Sequence, residues 1–168
     1  MTLIGEFDPA DQVLLMHGLE AAAVLISTAS LGRKEETASE GFAMANHVLE
    51  SAKDQIAHPL LMSIIQALED RAAGGGAFPD YGKVVRAPDA RDRAMTVVRS
   101  AVAAVNARAT PDEAAAYRAW LLGIATAVAQ AGKEDQGFLG RGGVLVNDAE
   151  RDALGELAGM LGLEAPAV

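Results

Sequence analysis

The sequence predicts an all-α protein, a single compact bundle of about six helices. Two observations carry this prediction. Apolar residues recur at three- and four-residue spacing through most of the chain, which places them on one face of successive helices. Helix-start signals stand in front of these stretches, and the tripeptide Val144 to Val146 is the one segment that resembles a strand.

The N-terminal half contains three of the predicted helices. Asp8 and Pro9 begin the first predicted helix, which runs to about Ser30. Apolar residues recur along it at three- and four-residue spacing. A second helix is predicted over Glu35 to Lys53, and His58-Pro59 opens a third. The apolar faces of these helices are, in order, Leu15, Leu19, Ala22, Ile26 and Ala29; Phe42, Ala45, Leu49 and Ala52; and Leu60, Leu61, Ile64, Ile65 and Leu68.

The signals that mark the beginning of a helix are clearer in the C-terminal half of the sequence. Pro88 opens a fourth helix. Thr110-Pro-Asp-Glu113 and Asn147-Asp-Ala-Glu150 each have the form of a capping box, with Gly162 as the C-cap of the last helix. The apolar faces of these three helices are Ala94, Val98, Ala101 and Val105; Leu121, Leu122, Ile124, Ala125 and Val128; and Leu154, Leu157, Ala158 and Leu161.

The length and composition predict one domain over residues 1–168. A chain of 168 residues is long enough to bury a substantial core, and three consecutive glycines from Gly74 predict a mobile connection at about 72–87. Aromatic residues make up 4% of the chain and cysteine is absent, so the core is built from Ala, Leu, Val and Ile, and thiolate chemistry is excluded.

The net charge and the composition of the N-terminal residues indicate which partners the protein binds and where in the cell it is found. The net charge of -9 disfavours nucleic acid and anionic lipid as partners. The basic segment at 80–108 is interpreted as a solvated helix surface. The N-terminal residues lack the basic start of a secretory signal, and the run Ala21 to Ile26 is far shorter than a membrane span. We therefore expect a cytoplasmic protein that does not insert into membranes and that contacts a protein partner or a second copy.

Two His-x-x-Glu pairs are candidate metal ligands: His17 with Glu20, and His47 with Glu50. A histidine and a carboxylate at this spacing share a helix face, and two such helices facing each other form the dinuclear sites of ferritin-like bundles. At about 100 degrees per residue, however, both histidines lie opposite the apolar stripe of their helix. The angles therefore predict that both face water.

Acidic clusters offer a second set of candidate ligands. Glu36 and Glu40 follow the first helix, and Asp148 and Glu150 lie beside the glycine-rich loop 132–143. Carboxylates that converge from a loop bind a divalent cation, whereas acids in the first turn of a helix also follow from the helix dipole. The loop lacks the Gly-Lys-Ser/Thr ending of a phosphate-binding loop, and no Gly-x-Ser-x-Gly turn occurs, so neither a cofactor nor an enzyme is predicted.

A repeated unit of apolar helix, loop and acid-capped helix occurs at residues 24–36 and 124–154, and it resembles the TerB-like family of tellurite-resistance proteins. The resemblance implies an all-helical, duplicated fold, a role in tellurite resistance and stress response, and acidic residues that bind metal. Glu150 matches the family's motif glutamate and Glu36 corresponds to it in the first half. The family's usual Ala-Asp-Gly before the second helix is absent here. We expect a non-enzymatic protein that acts through protein contacts, with divalent-metal binding as the alternative.

Overall fold

The computed structural model describes residues 1–29, 47, 48, 50, 58–74, 87–131 and 146–168. Within these ranges the chain forms a short 3-10 turn at Ile4–Glu6 and five helices, which confirms the all-α prediction. The helices are α1 (Pro9–Ser27), α2 (Pro59–Ala73), α3 (Ala87–Arg108), α4 (Pro111–Ala131) and α5 (Asp148–Leu161).

Several predictions fall on segments outside these ranges. The helix predicted over Glu35 to Lys53 is described at His47, Val48 and Glu50, and all three residues are helical. The loop at 132–143, most of the predicted connection at 72–87 and the first two residues of the strand-like tripeptide lie outside the described residues. Val146, the third residue of that tripeptide, forms a bend before α5.

Helix α1 is the centre of the bundle. It contacts each of the other four helices, and its core-facing residues come from more than one stripe. The predicted stripe is buried as far as Ile26, and Met16, Gly18, Ala21, Ala23 and Leu25 are buried as well. Because other helices pack against α1 on several sides, the fold buries more of its surface than a single apolar stripe predicts.

A buried tyrosine ties α1 to α4. Tyr117 is fully buried, and its hydroxyl donates a hydrogen bond of 2.8 Å to the carbonyl oxygen of Leu15. Gly18 lies one turn further along α1, where a Cβ would collide with the Tyr117 hydroxyl and lie 3.1 Å from the Cβ of Ala101. The glycine therefore lets α1, α3 and α4 approach at one point.

The two predicted capping boxes are present. The Thr110 Oγ1 accepts from the Glu113 N–H at 3.3 Å, and a Glu113 carboxylate oxygen accepts from the Thr110 N–H at 3.0 Å. Asn147 and Glu150 make the same reciprocal pair at 2.9 and 3.0 Å. Asp8 differs from the prediction: it occupies the N-cap position of α1, but its side chain makes no capping hydrogen bond. The capping boxes fix where α4 and α5 begin.

The C-terminal end of α5 also follows its prediction. Gly162 has a φ of 69°, a left-handed conformation that glycine adopts without strain. The N–H of Leu163 then donates to the carbonyl of Ala158 at 2.9 Å, which closes the helix and turns the chain into the tail at 163–168.

The N-terminal segment is tied to the bundle by a buried carboxylate. Glu113 is 5% exposed, and its second oxygen accepts from the Thr2 N–H at 2.8 Å. Burial raises the pKa of Glu113, but hydrogen bonds from the backbone and hydroxyl groups of Thr2 and Thr110 outweigh burial and lower the pKa to about 2. The Ile4 N–H donates to the Ser63 hydroxyl of α2 at 2.8 Å. Two helices thus hold the segment in place.

Helix α1 is long and apolar enough to cross a membrane by length and composition alone, which the short apolar run in the sequence did not suggest. Half of its most apolar window is buried against the rest of the protein. The core helix of a bundle passes the same test, so this property is weak evidence for a membrane segment.

Candidate functional site

Helix α4 is apolar on two faces. One face enters the core through Tyr117, Leu121, Ile124 and Val128, each at most 1% exposed. The stretch from Ala119 to Ala131 has no charged side chain, and its opposite face is mostly apolar, with Thr126 and Gln130 as polar members. A helix that is apolar all round is typical of one covered on all sides.

The second face of α4 forms the floor of an open groove of about 490 Å³. The floor residues recur at intervals of three and four along α4, and the walls come from His47 and from the tail after α5. The lining residues are His47, Ala119, Leu122, Gly123, Thr126, Ala127, Gln130, Leu163, Glu164 and Pro166. At 1.5 Å per residue, the floor from Ala119 to Gln130 is about 16 Å long, or three helical turns. The groove is therefore elongated along α4, and the His47 imidazole lies against Gly123 near its middle.

A close contact fixes one wall of the groove. The imidazole of His47 lies against Gly123, where a Cβ would be 2.8 Å from the His47 Nε2 and 3.4 Å from Cε1. No ordinary side chain leaves room for the ring in this position, because 2.8 Å is inside van der Waals contact. Because Gly123 has no side chain, the His47 ring packs directly against α4.

The groove carries negative charge at its edge. Burial lowers the pKa of His47 below its usual value of 6.5, and the carboxylate of Glu50 partly offsets this effect. His47 is therefore neutral at pH 7. Glu164 is exposed in the tail, and it is the one charged side chain among the described residues that line the groove.

The Thr126 hydroxyl, which also lines the groove, is already engaged. It donates a hydrogen bond of 2.8 Å to the carbonyl oxygen of Leu122, one turn earlier in α4. A hydroxyl acts as a nucleophile when it donates its proton to a base such as an imidazole. Here the hydroxyl donates to a backbone carbonyl and keeps its lone pairs as hydrogen-bond acceptors.

The predicted orientation of the two histidines is wrong. His17 and His47 are both half-buried instead of facing water. His17 lies on the central helix α1, where burial lowers its pKa and the nearby Arg71 of α2 lowers it further. The angular argument failed because it counted one apolar stripe per helix, whereas α1 has several helices around it and His47 lies against Gly123 of α4.

The four His-x-x-Glu residues do not assemble into a metal site. Across the part of the chain that the structure describes, which includes His17, Glu20, His47 and Glu50, no three histidine or carboxylate side chains form a group that could hold a metal ion. His47 is placed against α4 instead, and Glu50 is exposed beside it.

The acidic residues predicted as candidate metal ligands have different surroundings in the structure. Asp148 is exposed and pairs with Arg151 at 2.8 Å, whereas Glu150 is 3% exposed and caps the first turn of α5 through its own carboxylate. Glu36 and Glu40 lie outside the described residues. Glu150, the carboxylate that the sequence comparison set against the TerB-like motif, thus has a structural role in this chain.

Sequence reasoning missed the groove. Leu122 was assigned to a buried face together with Leu121, but it is half-buried on the groove side. The small residues Ala119, Gly123 and Ala127 do not register as an apolar stripe. The signal that could have identified the groove is the 13-residue stretch without charge in α4.

Comparisons with known proteins return no match to a family model, a curated protein or a solved structure.

Proposed function

We propose that this chain is a non-enzymatic, cytoplasmic helical protein of the TerB-like type, and that it acts in stress response by binding a protein partner in the α4 groove. The observation that carries the proposal is the face of α4 that the described residues leave open between His47 and the C-terminal tail. Apolar helix faces are favourable binding surfaces because removing apolar surface from water is the main driving force of most protein–protein association.

Two properties of the groove support a binding role over catalysis. It is an open trough about 16 Å long, which suits a segment of another chain better than an enclosed substrate. Its hydroxyl group, Thr126, directs its proton to the carbonyl of Leu122 and not to the neighbouring imidazole. The groove thus offers apolar area and hydrogen-bond acceptors instead of an activated nucleophile.

A cell-based assay tests this function. We expect deletion of the gene to sensitise cells to tellurite, and the wild-type protein to restore growth. Ala119→Trp fills the groove from an exposed position on α4 and should fail to restore it. Ala107→Trp, at an exposed position on α3 outside the groove, is the matched control and should restore it. A deletion strain that tolerates tellurite like its parent, or full rescue by Ala119→Trp, would contradict the proposal.

The alternative of divalent-metal binding has its own test. Asp148 and Glu150 already have hydrogen-bonding partners, so we expect no change in melting temperature when chelator-treated protein receives Ca²⁺, Mn²⁺ or Zn²⁺. A cation at 100 times its Kd would stabilise the fold by about 2.7 kcal/mol. A shift of that size that Glu36→Gln or Glu150→Gln abolishes would favour the metal-binding alternative.

A further inference from the structure

We infer that the His47 imidazole is a plug in the middle of the α4 groove, and that it leaves its place on Gly123 when it takes up a proton. This inference rests on the proposed function, because it specifies how access to the same groove is regulated. It follows from the position of the ring, from the burial of its neighbour Val48 and from the charges around it.

The ring interrupts the floor of the groove. Gly123 is the middle member of the row of small residues on the floor, four residues from Ala119 and four from Ala127. A Cβ at Gly123 would lie 2.8 Å from the His47 Nε2 and 3.4 Å from Cε1, so the imidazole occupies this central position. With the ring in place the row is divided into two parts. Without the ring it is continuous over about 12 Å.

The ring is able to move while the backbone that carries it stays in place. Val48 is buried and belongs to the hydrophobic core, so it holds the backbone next to His47. His47 itself is half-buried and lines the open groove. A change of side-chain rotamer therefore takes the imidazole from Gly123 to water, a motion that partly exposed side chains make rapidly.

The position on Gly123 suits a neutral ring better than a charged one. An imidazolium carries an N–H on both ring nitrogens. The Nε2 of His47 is the ring atom nearest to the Gly123 position, and glycine offers no side-chain acceptor there. Burial accordingly lowers the pKa of His47 below 6.5, although the carboxylate of Glu50 raises it. Acid pH therefore favours the undocked ring.

The charged groups that face the ring lie at the edge of the groove and not on its floor. Among the described residues they are the carboxylates of Glu50, three positions further along the chain, and of Glu164 in the tail, and both side chains are exposed. Helix α4 has no charged side chain from Ala119 to Ala131. The preceding Arg118 does not line the groove, and its Nε donates to a backbone carbonyl. These carboxylates attract the imidazolium away from Gly123.

NMR of the isolated protein, labelled in histidine and glycine, tests the inference. At pH 7.5 we expect a nuclear Overhauser effect between the Hε1 proton of His47 and the α-protons of Gly123, because the ring lies against this glycine. At pH 5 we expect it to be lost. Between pH 6.5 and the lower pKa of the docked ring, the ratio of undocked to docked ring should rise by up to about tenfold per pH unit. The ring-current shift of the Gly123 α-protons measures this ratio.

Two controls separate the plug from other effects of acid. In His47→Gln the Gly123 shift should not depend on pH. The α-protons of Gly18, which packs against the buried Tyr117, should keep their shift from pH 7.5 to 5 if the bundle stays intact. A protonated His47 that retains its Overhauser effect to Gly123 would overturn the inference. So would a Gly123 shift that titrates equally in His47→Gln, or a Gly18 shift that changes together with it.

This test is independent of the test of the proposed function. The NMR experiment uses neither tellurite nor a partner, so an imidazole that stays on Gly123 refutes the plug while the result of the rescue assay stands. A deletion strain that tolerates tellurite refutes the proposed function while the pH dependence of the ring stands.

Discussion

Glu113→Gln should weaken the attachment of the N-terminal segment to the bundle. The Glu113 carboxylate accepts from the Thr2 N–H at 2.8 Å through one oxygen, and from the N–H and hydroxyl of Thr110 at 3.0 Å through the other. Glutamine has the same shape but one acceptor oxygen. Its NH₂ group must therefore face either the donor of Thr2 or the donors of Thr110.

The magnitude follows from this mismatch. A hydrogen bond to a charged group contributes about 1.5–3 kcal/mol, and a buried donor left unsatisfied costs about 1–3 kcal/mol. Because glutamine keeps one of the two oxygens, we expect a loss of about 2–3 kcal/mol in the free energy of unfolding at pH 7. For a protein of this size that corresponds to a fall in Tm of about 5–10 °C.

The pH dependence has a definite sign. The pKa of Glu113 is about 2 in the folded protein against 4.5 for the ordinary side chain, so folding favours the ionised form. Its contribution is fully present above pH 4.5 and is lost as the pH falls through about 2. The difference in stability between wild type and Glu113→Gln should therefore be constant from pH 7 to 5 and shrink below pH 4.5.

Urea unfolding followed by circular dichroism measures both quantities. Asp112→Asn is the matched control, because Asp112 is an exposed carboxylate in the same first turn of α4. It should cost about 0.3–1 kcal/mol, as a surface charge near the helix dipole does. A Glu113→Gln loss no larger than that of Asp112→Asn, or a difference that grows toward pH 2, would refute the role assigned to the buried carboxylate.

Three glycine substitutions give the remaining predictions. Gly123→Ala places a Cβ 2.8 Å from the His47 Nε2 and should push the imidazole outward, so that an NMR titration finds its pKa raised toward 6.5; an unchanged pKa would mean that the ring does not rest on α4. Gly162→Ala forces a side chain into a φ of 69° and should cost about 1–2 kcal/mol in urea unfolding. Gly155→Ala lies inside α5, where a Cβ meets open space, and should stabilise the protein by about 0.5–1 kcal/mol. If Gly162→Ala proved more stable than Gly155→Ala, the left-handed cap at Gly162 would be contradicted.

Local signals in the sequence predicted the helix ends well. The capping boxes at Thr110 and Asn147 and the glycine cap at Gly162 depend on residues within three or four positions of each other. Such contacts are specified by the chain segment itself. The long-range contact between Thr2 and Glu113 has no local signature, and it appears only once the bundle brings residues 111 positions apart together.

The candidate site was harder to predict. The angular argument placed His17 and His47 in water because it assumed one buried face for each helix, whereas α1 contacts four helices and His47 rests on α4. The metal hypothesis followed from acidic residues whose clearest member, Glu150, caps a helix. The uncharged stretch of α4 could have indicated a second face without charge, but where the groove lies depends on how the described neighbours pack against α4, which spacing within one helix does not show.

The most direct test of the central claim is photocrosslinking in living cells. A photoreactive amino acid at Ala119, in the groove, should form a discrete adduct with a different protein after tellurite stress, and the same residue at Ala107 should not. Adducts of equal yield at both positions, or none at Ala119, would contradict a partner-binding groove on α4.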